Sequence, residues 1–162
     1  MDTFFEQIVR VKFSAKDWLL YFLIWAAGGF LALLCFAFLS QIALFLTAVI
    51  IFFAFKFSNK LFVEYEYIFT NGDLDFDKII AKSARKRMAA INCKTVEKYA
   101  KYDKSIPYPT SVKKVYLFCN KDDKNAKYMI TPHKNEGTVM IIFAPEERID
   151  GAISKAVPRI AQ

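Results

Sequence analysis

Apolar and polar positions along the chain fall into three regimes. In the first, Phe4, Phe5, Ile8 and Val11 recur at a spacing that gathers them on one face of a helix. Thr3 and Glu6 stand three apart, as in a capping box. The pattern predicts a short helix over residues 3–13 lying in the cytoplasmic membrane interface. In the second regime no Asp, Glu, Lys, Arg or His interrupts the 38 residues from Trp18 to Phe55. As one helix they would rise about 57 Å, against a hydrocarbon core of about 30 Å. One straight crossing is too long; two fit. The polar pair Ser40-Gln41 divides the run, so crossings are predicted at about 18–39 and 42–57, with helix continuing past Asn59 into water. Ala26, Ala27, Gly28 and Gly29 offer either a small-residue surface for helix packing or filler facing lipid.

The third regime alternates. Leu61, Val63, Tyr65, Tyr67 and Phe69 share one face, with Glu64 and Glu66 on the other. Asn71-Gly72 tolerates the positive φ of a two-residue hairpin turn. That loop sets Phe69 opposite Leu74 and Tyr67 opposite Phe76, while Asp73, Asp75 and Asp77 face outward. After a turn at 81–84, Arg85 to Ile91 forms a third strand. Residues 93–102 fit a helix or a strand, and Ile106-Pro107-Tyr108-Pro109 is a loop, because neither proline can donate to a ladder. Val115–Cys119, Lys127–Thr131 and Thr138–Phe143 read as further strands. Pro145, Glu146 and Glu147 then suit a helix N-terminus. A stripe of Ile149, Ala152, Ile153, Ala156, Val157 and Ile160 follows until Pro158 stops the helix. Six or seven short antiparallel strands and one amphipathic helix imply an open barrel or bent sheet with one end capped.

The fold class is therefore a membrane α+β chain. Residues 1–16 form an interfacial helix, 17–60 a two-helix transmembrane hairpin, and 61–162 a cytoplasmic domain. Charge orients it. Arg10, Lys12 and Lys16 precede the first crossing, Lys56 and Lys60 follow the second, and the turn has no basic residue. Positive-inside counting puts both termini in the cytoplasm of a multi-pass cell-membrane protein. A cleaved signal peptide does not fit, since the apolar run is too long and Asp2, Glu6 and Asp17 interrupt its basic flank. Cys35, Cys93 and Cys119 share no metal or disulfide spacing and read as buried thiols.

The order of two crossings, the opening hairpin "YEYIFTNGDLDFDKI" and the close "IIFAPEERIDGAISKAVPRI" resembles uncharacterised bacterial membrane proteins carrying a pleckstrin-homology-like (PH-like) domain. The resemblance implies seven strands with a capping C-terminal helix, and a binding or scaffolding module with no catalytic residues to carry over.

Chemistry is sparse. Lys82, Arg85, Lys86 and Arg87 read as a site for anionic lipid headgroups, or as a solvated strand whose arginines pair with Asp75 and Asp77. The acid-rich strand fails as an EF-hand, since Lys78 and Ala84 stand where Gly and Glu are needed. His133 is the only histidine and reads as a surface loop residue. No GxSxG, HExxH, Walker, GxGxxG or CxxC motif occurs. The expectation is a non-catalytic protein without cofactor or metal. Its partners are the membrane, anionic lipid headgroups and another protein or a second copy of itself, but not nucleic acid. The rival reading is an accessory subunit of a membrane transporter or signalling complex, making contacts through its crossings.

Overall fold

A computed structural model describes residues 3–39, 41–134 and 136–161. They divide into two units: one holds the chain up to Val11, Glu64–Ile79 and everything from Arg85 onward, the other Lys12–Val63 and Ile80–Ala84.

The second unit is built on two packed helices, α1 (Ala15–Phe38) and α2 (Ala43–Asn59). Ser14 caps α1: its hydroxyl accepts from the Asp17 N–H at 3.3 Å, and Asp17 accepts from the Ser14 N–H at 2.8 Å. This S-x-x-D capping box stands in the sequence, where Asp17 had counted only against a signal peptide. By length and composition α1 is able to cross a membrane, its best window having a mean hydropathy of 2.3, while α2 is apolar but has 17 residues. α2 stops at Asn59, which corrects the expectation that helix continues past that residue into water. Of the expected turn, Ser40 lies outside the described residues and Gln41 is exposed.

The first unit contains two four-stranded sheets. In the first the order is β1 (Phe4–Arg10), β2 (Val63–Thr70), β3 (Asp73–Ile80) and β4 (Ala84–Asn92). β1 corrects the predicted interfacial helix. Its burial alternates strictly, and Phe4 to Arg10 pair antiparallel with Thr70 to Glu64. Phe4, Phe5, Ile8 and Val11 satisfy a helical spacing, and apolar and polar residues in FFEQIVR come in pairs rather than alternating, so only the burial of the folded strand shows period 2. Pairing with β2, more than 50 residues away, decides between the periods. The turn from β2 to β3 has Asn71 and Gly72 at φ 51° and 99°, as expected. The Tyr67 and Phe76 rings then lie 5.4 Å apart.

The second sheet is ordered β5 (Lys98–Lys101), β7 (Lys127–His133), β8 (Gly137–Phe143) and β6 (Lys114–Leu117). A single 3-10 turn at Cys93–Thr95 precedes β5, which resolves the ambiguous segment. Pairing is antiparallel except that β6 runs parallel to β8. The chain runs up β6, down β7 and up β8; setting β6 beside β8 rather than β7 makes that pair parallel. The strands therefore number eight among the described residues, against the six or seven expected.

Inner faces of both sheets meet in one core: Tyr67, Leu74, Phe76, Met129, Ile141 and Phe143 are all buried. The helix α3 (Glu147–Ala156) closes it with Ile149, Ile153 and Val157. Ile160 departs from the predicted stripe. Beyond Pro158 a 3-10 turn sends its side chain outward, 98% exposed, and turns Ala161 in. The outer face of the second sheet is covered too, with Tyr102, Ile106 and Val112 packed over Tyr128, Ile130, Met140 and Ile142.

Candidate functional site

The sequence-predicted basic run does not act as one group. Arg85, Lys86 and Arg87 lie on β4, an edge strand whose first four residues are all exposed. Arg85 donates to the Glu66 carboxylate at 3.0 Å. Arg87 bridges Asp75 at 2.7 Å and Asp77 at 2.9 Å. Both arginines therefore have their charge met by carboxylates: Arg87 pairs with Asp75 and Asp77 as the solvated-strand reading expected, while Arg85, expected on the same two, pairs with Glu66 instead. Glu66 had been read as an outward residue, yet it is fully buried, and Asp77 is 5% exposed. Burial pushes the Glu66 carboxyl above the ordinary glutamate range, the neighbouring Glu6 adds to this, and Arg85 pulls the other way. Burial also raises Asp75, again against its arginine. Nothing in the strand's alternation marks Glu66 as buried, because period 2 assigns a face but not what covers it.

Lys82 belongs elsewhere. It sits in the turn between β3 and β4, where Ala81 and Lys82 have φ 53° and 56°. That turn belongs to the helical unit, and the Ala81 N–H donates to the Phe62 carbonyl at 2.9 Å. Around Phe62 the rings of Phe13 and Tyr21 lie at 4.7 and 6.5 Å, and Trp18 is 5.4 Å from Phe13. Lys56 and Lys60 lie over the Phe52 and Phe57 rings at 5.5 and 5.2 Å. Of the four predicted packing residues, Gly28 faces α2: a Cβ there would stand 3.4 Å from that of Ala54. Ala27 lines an apolar groove between the helices with Leu20, Ile24 and Ile50. Gly29 has open space around it and Ala26 is exposed, so neither belongs to that contact.

On the two-sheet unit, α3 flanks two open clefts. One, of about 670 Å³, is lined by Phe5, Phe69, Ala152 and Ala156 with Lys94, Arg148 and Lys155 at its rim. The other, of about 640 Å³, has Lys101, Lys124 and Arg148 around the Lys127–Asp150 pair. Lys127 reaches both Asp150 oxygens at 2.6 and 2.7 Å, and the Tyr99 hydroxyl donates to the same carboxylate at 2.5 Å. The arrangement stiffens the start of α3 and consumes its own charge. Gln7, which no motif marked, ties β1 to the entry of α3 by donating to the Ala144 carbonyl and accepting from the Glu146 N–H.

Cys93 and Cys119 are buried, and burial pushes both thiols up to about 12, away from nucleophilic chemistry. His133 ends β7 opposite Gly137 rather than lying in the loop.

Across residues 1–162 the chain matches the family model described as a bacterial PH-like domain (DUF6106). It belongs to that family. No curated protein and no solved structure matches it. Two sheets closed by a C-terminal helix are the PH-like fold in this chain, and β1, drawn from ahead of the apolar helices, is part of it. The PH-like unit suggests a binding or scaffolding role, and α1, the one helix among the described residues long and apolar enough to cross a membrane, weakly suggests association with one.

Proposed function

We propose that α1 and α2 cross the cell membrane as a hairpin and hold the PH-like domain on the cytoplasmic side, where it serves as a non-catalytic binding or scaffolding module. One observation carries this reading. The two helices are inserted between strands that pair with each other, so the chain leaves at Arg10 and returns at Glu64, its register partner. If α1 crosses, the chain must come back before β2 begins, and α2 is the segment available to bring it. At about 1.5 Å per residue the 17 residues of α2 span about 25 Å, enough for a bilayer thinned slightly around it. Lysine and arginine at the open end favour that end as the cytoplasmic one.

Thiol labelling in intact cells tests the topology. Cys93 and Cys119 are too buried to report, so Cys35→Ala, Cys93→Ala and Cys119→Ala form the background. Gln41→Cys is expected to react with an impermeant maleimide from outside, and Lys121→Cys only after the membrane is opened. Reaction of Lys121→Cys from outside sinks the reading. For the binding role, in-membrane crosslinking of the full chain is expected to capture a partner through the PH-like domain. Crosslinks confined to α1 and α2 favour the accessory-subunit alternative.

A further inference from the structure

In the helical unit every charged side chain lies at one end. Lys12, Lys16 and Asp17 stand where α1 begins, Lys56 and Lys60 where α2 ends, and Lys82 in the β3–β4 turn bonded to Phe62. Five lysines thus accompany a single acid. Asp17 is committed to the start of α1, accepting from the Ser14 N–H and hydroxyl at 2.8 and 2.7 Å. Lys12, Phe13, Trp18, Tyr21 and Phe62 line a pocket of about 430 Å³ at this end. Phe13 is its centre, 5.4 Å from Trp18, 6.4 Å from Tyr21 and 4.7 Å from Phe62. A wall of rings beside a cluster of ammonium groups matches an amphiphile: an anion at one end, hydrocarbon at the other. Tyr and Trp suit the depth between them, each having an apolar body and a polar tip.

We propose that this end of the hairpin binds an anionic phospholipid of the surrounding bilayer. Its phosphate lies among Lys16, Lys60 and Lys82, and its glycerol and upper acyl chain lie against the Phe13–Trp18–Tyr21–Phe62 wall. The proposal rests on the membrane reading above. It moves the lipid contact from the β4 arginines, whose charge Glu66, Asp75 and Asp77 already meet, to the base of the helices. Only Lys82 is carried over from the predicted basic run. Charge complementarity selects the ligand: a zwitterionic lipid brings its own cation to a site already built on Lys16, Lys60 and Lys82, whereas an anionic lipid brings none.

The full chain, inserted in nanodiscs of phosphatidylcholine and phosphatidylglycerol in equal parts, is released into a native mass spectrometer and the retained lipids are counted. Phosphatidylglycerol is expected to be enriched, and each of Lys16→Gln, Lys60→Gln and Lys82→Gln to lower the enrichment about fivefold. Lys86→Gln, on β4, is expected to leave it unchanged. Phe13→Ala is expected to shorten lipid retention without changing the headgroup preference. Equal retention of both lipids, or enrichment that survives the triple lysine variant, overturns the site while leaving the membrane reading intact. Displacement of phosphatidylglycerol by inorganic phosphate overturns the lipid as ligand in favour of a soluble anion. A chain that stays soluble and never enters the nanodisc overturns both readings together.

Discussion

Glu66 shows how far a single side chain can depart from its pattern. It alternates outward with Glu64, yet it is fully buried and Arg85 reaches it at 3.0 Å. Its carboxyl is raised by burial, so the protonated form is favoured in the fold relative to the open chain. The stability this confers is complete below the ordinary glutamate range and is lost as pH rises through the raised value; Asp75 has the same sign. Glu66→Gln keeps the neutral form at every pH. Its urea midpoint is therefore expected to fall less than the parent's as pH climbs above that range, and equal slopes in the two proteins would contradict the assignment. Arg87 supports a different outcome. Arg87→Ala leaves the buried Asp77 without its partner and is expected to cost about 1–3 kcal/mol in chemical denaturation. Lys86→Ala, exposed on the same strand, is expected to stay within about 0.5 kcal/mol.

Turns and helix contacts set the behaviour of whole elements. Gly72 stands at φ 99° and the side chain of Asn71 accepts the Thr3 N–H, so the β2–β3 turn also anchors the start of β1. Gly72→Ala is expected to destabilise the domain by about 1 kcal/mol or more. The β3–β4 turn asks for the same left-handed backbone from Ala81 and Lys82, neither of which relieves it. Ala81→Gly is therefore expected to raise the thermal midpoint by a small amount, since the relief of about 1–2 kcal/mol is partly offset by the flexibility glycine gives the unfolded chain. In the helical unit, Gly28→Leu should force α1 and α2 apart and lower the unfolding temperature in detergent. Gly29→Leu, one residue on with open space around it, should not.

At the scale of the molecule, the apolar hairpin is an insertion inside the PH-like domain rather than an anchor placed ahead of it. Deleting residues 3–10 removes an edge strand, the core contacts of Phe5 and Val9, and the Gln7 bonds to the entry of α3. Broad, non-cooperative unfolding of the PH-like domain is expected; an interfacial helix would have left that domain's unfolding unchanged on deletion. Much was legible beforehand. The uncharged run, the Asn71-Gly72 hairpin and the period of α3 are local signals, written in residues close enough to define a helix, a turn or a face on their own. β1, the parallel β6–β8 pair and the burial of Glu66 were decided by tertiary structure, because each depends on partners distant in sequence. A segment whose spacing suits a helix still becomes a strand where the extended form finds hydrogen-bond partners. For Phe4–Arg10 those partners lie beyond the whole hairpin, on β2.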